Sequence, residues 1–190
     1  MKKSRGRTSF LFLLLAAFFP GKILTQPVKV DSTSVFREWE DSNGKNTLTI
    51  NVGALCNPNE PPFDGHRTVI DVHLKNEKHL LDVQFDDPDY QMEMIAFNEE
   101  DISFYDLEGS KAVLIPFTYC GNSDSDKKLS YIVLYNGKNY LYHVSFRCNE
   151  DEDCSLNEDL DESMGDLSSE IRAEITKRIQ FRYGKAIDFN

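Results

Sequence analysis

The sequence predicts a mainly β fold: an antiparallel β-sandwich or closed barrel of about eight strands, with one C-terminal amphipathic α-helix. Three observations carry that expectation. Short runs of β-branched and aromatic residues recur about every 10–15 positions between turn clusters. Asn136-Gly137 divides two such runs, Leu129–Tyr135 and Lys138–Cys148, as the positive φ angles of a type I′ hairpin turn require. Beyond Cys148 the alternation stops. After an acidic stretch, apolar residues return every four positions at Leu167, Ile171, Ile175, Ile179 and Tyr183, the spacing of a helix face.

The first 25 residues stand apart from this fold. Lys2, Lys3, Arg5 and Arg7 precede the apolar run Phe10–Phe19, which Pro20-Gly21 ends before it could cross a bilayer. The pattern predicts a secretory signal peptide over 1–25, cleaved near Thr25/Gln26. A β domain over 26–148, an acidic linker over 149–165 and a helix over 166–184 would follow. No second long apolar stretch occurs, so no membrane span is expected in the mature chain.

Within the β domain, Gln26–Ser34 reads as an extended lead-in, and Val35–Trp39 holds the only tryptophan. The cluster from Asp41 to Asn46 is a turn, and Thr47–Leu55 alternates as a strand ending near Cys56. Asn57–Pro62 must be a loop, because three prolines cannot join a central strand. Arg67–Leu74 and Leu81–Phe85 form strands around Lys75–Lys78. Tyr90–Phe97 and Ile102–Leu107 form two more around Asn98–Asp101. Ala112–Tyr119 is apolar on both faces, which predicts cover on both, while its Pro116 argues for a bulge or an edge. The organising hairpin closes the domain, with Val133 opposite Tyr140, Tyr131 opposite Tyr142 and Leu129 opposite Val144. Asp166 is the expected helix N-cap, and Gly184 the stop.

Charge and cysteines narrow the class of protein. Residues 1–25 hold five bases and no acid, so 16 of the 21 basic and all 32 acidic residues belong to the remainder, a formal charge of −16. No basic footprint for nucleic acid is visible, and anionic membranes are disfavoured. Cys56, Cys120, Cys148 and Cys154 predict two disulfides in a secreted chain, with three pairings open. No Cys-x-x-Cys spacing and no Asn-x-Ser/Thr sequon occurs.

Motifs for chemistry are sparse. There is no Gly-x-Ser-x-Gly, no Gly-rich phosphate loop and no His-Glu-x-x-His, so no catalytic residue is assigned and no enzyme is expected. His73 and His79 flank the turn at Lys75–Lys78 and could, with Asp71 or Asp82, ligate zinc. Histidines at strand ends are usually plain surface residues, so no metal and no cofactor is predicted. Asp151, Asp153, Ser155, Asn157, Asp159 and Glu162 have EF-hand spacing, but Leu156 stands where the loop needs glycine, which favours a solvated acidic loop. Tyr131, Tyr135, Tyr140 and Tyr142 share one hairpin face and are the candidate ligand-facing residues, against the simpler reading that they are core.

Two resemblances follow from these residues. An early lone Trp39, eight strands and a terminal helix are similar in order to a lipocalin, which implies a barrel carrying a small apolar molecule and Arg147 covering Trp39. The Gly-x-Trp signature of that family is missing, since Arg37-Glu38 precede Trp39. Arg182-Tyr183-Gly184-Lys185, behind the dibasic Lys177-Arg178, resembles the end of the hormone segment in neuropeptide Y-like precursors, which implies an amidated peptide. Ala186 stands where a second base would follow, and no proline-rich leader precedes the helix. The expected function is therefore a secreted, non-catalytic binding protein that recognises an extracellular protein or small apolar ligand. The carrier and the prohormone are its alternatives.

Overall fold

In a computed structural model, the described residues are 31–56, 67–86, 94–120, 126–149, 154–156, 164–183 and 187–188. Residues 1–25, expected to be a signal peptide, the expected Asn57–Pro62 loop, the first half of the Tyr90–Phe97 run, most of the EF-hand-like residues and Gly184 lie outside them.

Among the described residues two sheets and one α-helix make up the fold. The first sheet is a four-stranded meander of β1 (Asp31–Asp41), β2 (Gly44–Leu55), β3 (Val69–Lys75) and β4 (Leu80–Phe85). The second is built from β5 (Ile95–Ala96), β6 (Ser103–Leu107), β7 (Ser110–Tyr119), β8 (Asp126–Tyr135), β9 (Lys138–Cys148), β10 (Cys154–Leu156) and β11 (Ile187–Asp188). Its order is β11-β10-β9-β8-β7, with both β5 and β6 on the outer edge of β7. All pairs are antiparallel except the two-residue contact of β10 with β11. The sheets are not closed into a barrel, which corrects the barrel half of the sequence expectation. Closure needs a ladder at every edge, and among the described residues none joins the two sheets.

Among the described residues eleven strands stand where about eight were expected. The expected lead-in extends to Ser34, yet β1 begins at Asp31 and pairs along β2 down to Asp41↔Gly44. Cys154–Leu156 joins β9 from inside the supposed linker, and β11 was not foreseen.

Each face of the second sheet is packed. Towards the first sheet, Val113, Ile115, Phe117, Ile132 and Leu134 share a core with Val35, Leu48, Ile50, Val52, Ile70 and Val72. On the opposite face, Ala112, Leu114, Leu129, Tyr131, Val133, Val144 and Phe146 pack against Met164, Leu167, Ile171, Ile175 and Ile179. The expectation that β7 is covered on both sides is met for that reason. The helix α1 (Ser169–Tyr183) thus buries Ile171, Ile175 and Ile179 of the predicted stripe, and Leu167 is buried just before it. Its N-cap is Ser168, whose Oγ accepts the Ile171 N–H at 3.4 Å, and Asp166 lies exposed before it.

Both ends of the two-sheet core are pinned. At one end the disulfide Cys56–Cys120 ties the close of β2 to the close of β7. Between them, Cys56 N–H donates to the Ile95 carbonyl and Cys120 N–H to that of Met94, each at 3.0 Å. Closing 64 residues of chain separation contributes on the order of 4 kcal/mol by restricting the unfolded state. The second disulfide, Cys148–Cys154, fixes β10 to β9 at directly opposed positions.

At the other end the hairpin turns interlock. Asp41 accepts from the Trp39 indole at 3.0 Å, the Asn43 N–H at 2.8 Å and the Lys111 N–H of β7 at 3.0 Å. Ser42 N–H donates to the Gly109 carbonyl at 2.8 Å, and Asn76 Nδ2 to Asn46 Oδ1 at 2.8 Å. Burial acts to raise the Asp41 pKa, but hydrogen bonds from Asn46, Asn43, Trp39 and Lys111 outweigh it and hold the carboxyl below its ordinary value.

Candidate functional site

The organising hairpin has the predicted register, with Leu129↔Val144, Tyr131↔Tyr142 and Val133↔Tyr140. Asn136 at φ 49° and Gly137 at φ 71° make the expected turn. A Cβ on Gly137 would stand 2.6 Å from His79 Nδ1, so the glycine is also needed for close approach. The four tyrosines lie on the helix side. Tyr131 is buried in the helix core, while Tyr135, Tyr140 and Tyr142 are half-buried against it. Tyr140 and Tyr142 stack at 6.1 Å between centroids, and burial, helped by Asp166 and Tyr140, pushes the Tyr142 phenol up. Ile171, Ile175 and Ile179 of the helix share this face with the tyrosines.

The two histidines do not converge on one site. His73 faces Asp82 across β3 and β4 at 3.0 Å, whereas His79 sits over the Asn136-Gly137 turn. Among the described residues no group of three or more His, Cys, Asp or Glu could hold a metal. Trp39 packs edge-on against Phe104 of β6 at 5.0 Å, and β7 and β8 separate β6 from the strand that bears Arg147.

One cluster went unnoticed in the sequence. Ser130 Oγ lies 2.7 Å from His143 Nδ1 and 2.9 Å from the Tyr119 hydroxyl, on three neighbouring strands. A serine beside an imidazole is the start of a nucleophile–base pair. Ser130, however, is fully buried, so its hydroxyl meets no external substrate. The arrangement satisfies polar groups at the rim of the two-sheet core.

One concavity among the described residues lies at the outer edge of β7. Ala96 is opposite Thr118 and Ser103 is opposite Leu114, so the six residues Phe97–Ile102 pass a stretch where three, Ile115–Phe117, face them. Its centre is Pro116. Proline has no N–H to offer a neighbouring strand, and the ladder to β8 continues through Pro116↔Tyr131, so the interruption falls on the other edge. There the chain lifts away as a 3-10 turn, Glu99–Asp101, held by Asn98 Oδ1 accepting the Glu100 N–H at 3.1 Å. The cleft left beneath has a volume of about 100 Å³ and is lined by Ala96, Phe97, Asn98, Asp101, Pro116, Phe117 and Thr118. Pro116 was the sequence signal for this site, and reading it needed the neighbour across the sheet.

The comparisons with known proteins add no identity: no family model, curated protein or solved structure matches the chain. Among the described residues no helix is long and apolar enough to cross a membrane.

Proposed function

We propose that the protein is secreted and acts outside the cell as a non-catalytic binding protein, a β-sandwich that recognises a protein partner at the broken edge of its second sheet. The observation that carries this reading is the size and place of the cleft. At about 100 Å³ it admits one side chain of a partner, well below the roughly 300–1,000 Å³ of sites that enclose a small molecule. Secretion is supported by the basic and apolar segment at 1–25 and by two disulfides. A carrier of apolar ligands gains less support, because α1 fills the tyrosine face and the sheets enclose no barrel. A hormone would need a helix free to leave, whereas Ile171, Ile175 and Ile179 are buried. Lys177 itself is exposed, so the dibasic pair is withheld from proteases by its helical backbone and not by burial.

Native mass spectrometry of the full chain secreted by cultured cells tests this. The expected species begins near Gln26, contains no free thiol and carries no small molecule. A retained apolar ligand would favour the carrier, and a chain held inside the cell would end the secreted reading.

A further inference from the structure

Strand β1 lies at an edge of the first sheet. Among the described residues it pairs with β2 and with no other strand, although it is 11 residues long. An edge of that length is a template for another chain unless something blocks it. The turn from β1 to β2 has two residues, Ser42 and Asn43, between the opposed pair Asp41↔Gly44. Such a turn is closed by a hydrogen-bonded pair, and backbone groups then alternate in direction along the ladder. Val35, Arg37, Trp39 and Asp41 therefore bond β2, while Ser34, Phe36, Glu38 and Glu40 turn their backbone groups outwards.

Arg37 stands in the middle of this edge, on the face that carries Val35 and Trp39. Its Nη1 donates to the outward Phe36 carbonyl at 2.9 Å, and its Nη2 to Glu99 Oε2 on the second sheet's 3-10 turn at 3.1 Å. Both side chains of that ion pair meet solvent, at 38% and 52% exposure, and such pairs add little stability. Stability thus does not account for a base on the core-facing side of an edge strand. We infer that Arg37 guards the β1 edge: its guanidinium holds the Phe36 carbonyl where an added strand would bond, and so keeps a second copy of this chain from pairing there. A second copy is the occupant that fits. Two β1 strands set antiparallel about a two-fold axis at Phe36 would bring their exposed Phe36 rings together and place Ser34 of one opposite Glu38 of the other. To form that pair, the guanidinium would have to leave the Phe36 carbonyl and lose water between the strands.

Sedimentation velocity of the full secreted chain, over a range of concentrations at physiological ionic strength, reads the guard. Wild type should remain monomeric. Arg37→Val keeps a strand-forming residue and removes the guanidinium, and should strengthen self-association about tenfold or more. Arg37→Thr should do the same, and serves if Arg37→Val melts early. Ser34→Pro removes an outward N–H without touching the ladder to β2, so adding it to Arg37→Val should restore the monomer. Equal self-association of wild type and both Arg37 variants would overturn the guard. Association that survives Ser34→Pro would overturn the β1 edge as the place where copies meet.

Discussion

Two ladders of the same sheet behave in opposite ways. Along β8 and β9 the ladder runs unbroken from Asp126↔Arg147 to Tyr135↔Lys138. Along the far edge of β7 it holds from Leu107↔Ser110 to Ser103↔Leu114, stops, and resumes at Ala96↔Thr118. The first ladder is set by a local signal, a dipeptide that accepts positive φ at both turn centres. The second is set by a residue on the neighbouring strand, Pro116, which cannot donate. A turn residue acts on its own hairpin, whereas a proline inside a sheet acts on whatever chain lies beside it. The intact ladder lies in the core under α1, and the broken one leaves the cleft.

The largest expected effect tests the cover of the intact region. Ile175 is fully buried among the residues of the helix core. Ile175→Asp should destabilise the domain by about 3 kcal/mol or more, since it removes a core aliphatic and buries a carboxylate. Thermal melting reads this directly, and an unchanged melt would mean that α1 is not part of the fold.

Next comes the pin between the two sheets. Asp41→Ala removes the acceptor for three donors. Hydrogen bonds to a charged group suggest about 1.5–3 kcal/mol, reduced towards about 1–2 because much of this carboxylate meets solvent. Its folded pKa is lowered, so the contribution is full above the ordinary aspartate value of about 3.9 and is lost as pH falls through the lowered one. Urea midpoints of wild type and variant should differ at pH 6 and converge as the pH falls below 4. A constant gap would assign the loss to packing instead.

Two smaller effects sharpen the contrast between the ladders. Gly137→Val forces a β-branched residue to φ 71° against His79, and should cost about 1–3 kcal/mol in a denaturant titration. Pro116→Ala should change stability by less than about 1 kcal/mol, because the restored N–H meets no strand on the broken edge. A large loss from Pro116→Ala would show that proline does more than interrupt the ladder.

The same division explains what was legible in the sequence. Asn136-Gly137 fixed the hairpin register to the residue, and the four-residue stripe found the helix, because both signals are local. β1 carries a weak strand signal, because Asp31–Ser34 is polar and Arg37 shares a face with Val35 and Trp39. Arg37 stays partly in solvent and pairs with Glu99, 62 positions away. The Tyr119–Ser130–His143 cluster and the disulfide pairing depend on which strands become neighbours, and no residue announces that in advance. β10 and β11 are too short to carry a pattern.

Native-state amide hydrogen exchange puts the central contrast to the most direct test. Amides of Ile132, Val133 and Leu134 lie within a strand paired on both sides. They should exchange only through global unfolding, while those of Phe97–Ile102 open locally and exchange about 100-fold faster or more. Equal protection in the two segments would contradict the account, because the edge of β7 would then be a continuous strand and the cleft would not exist.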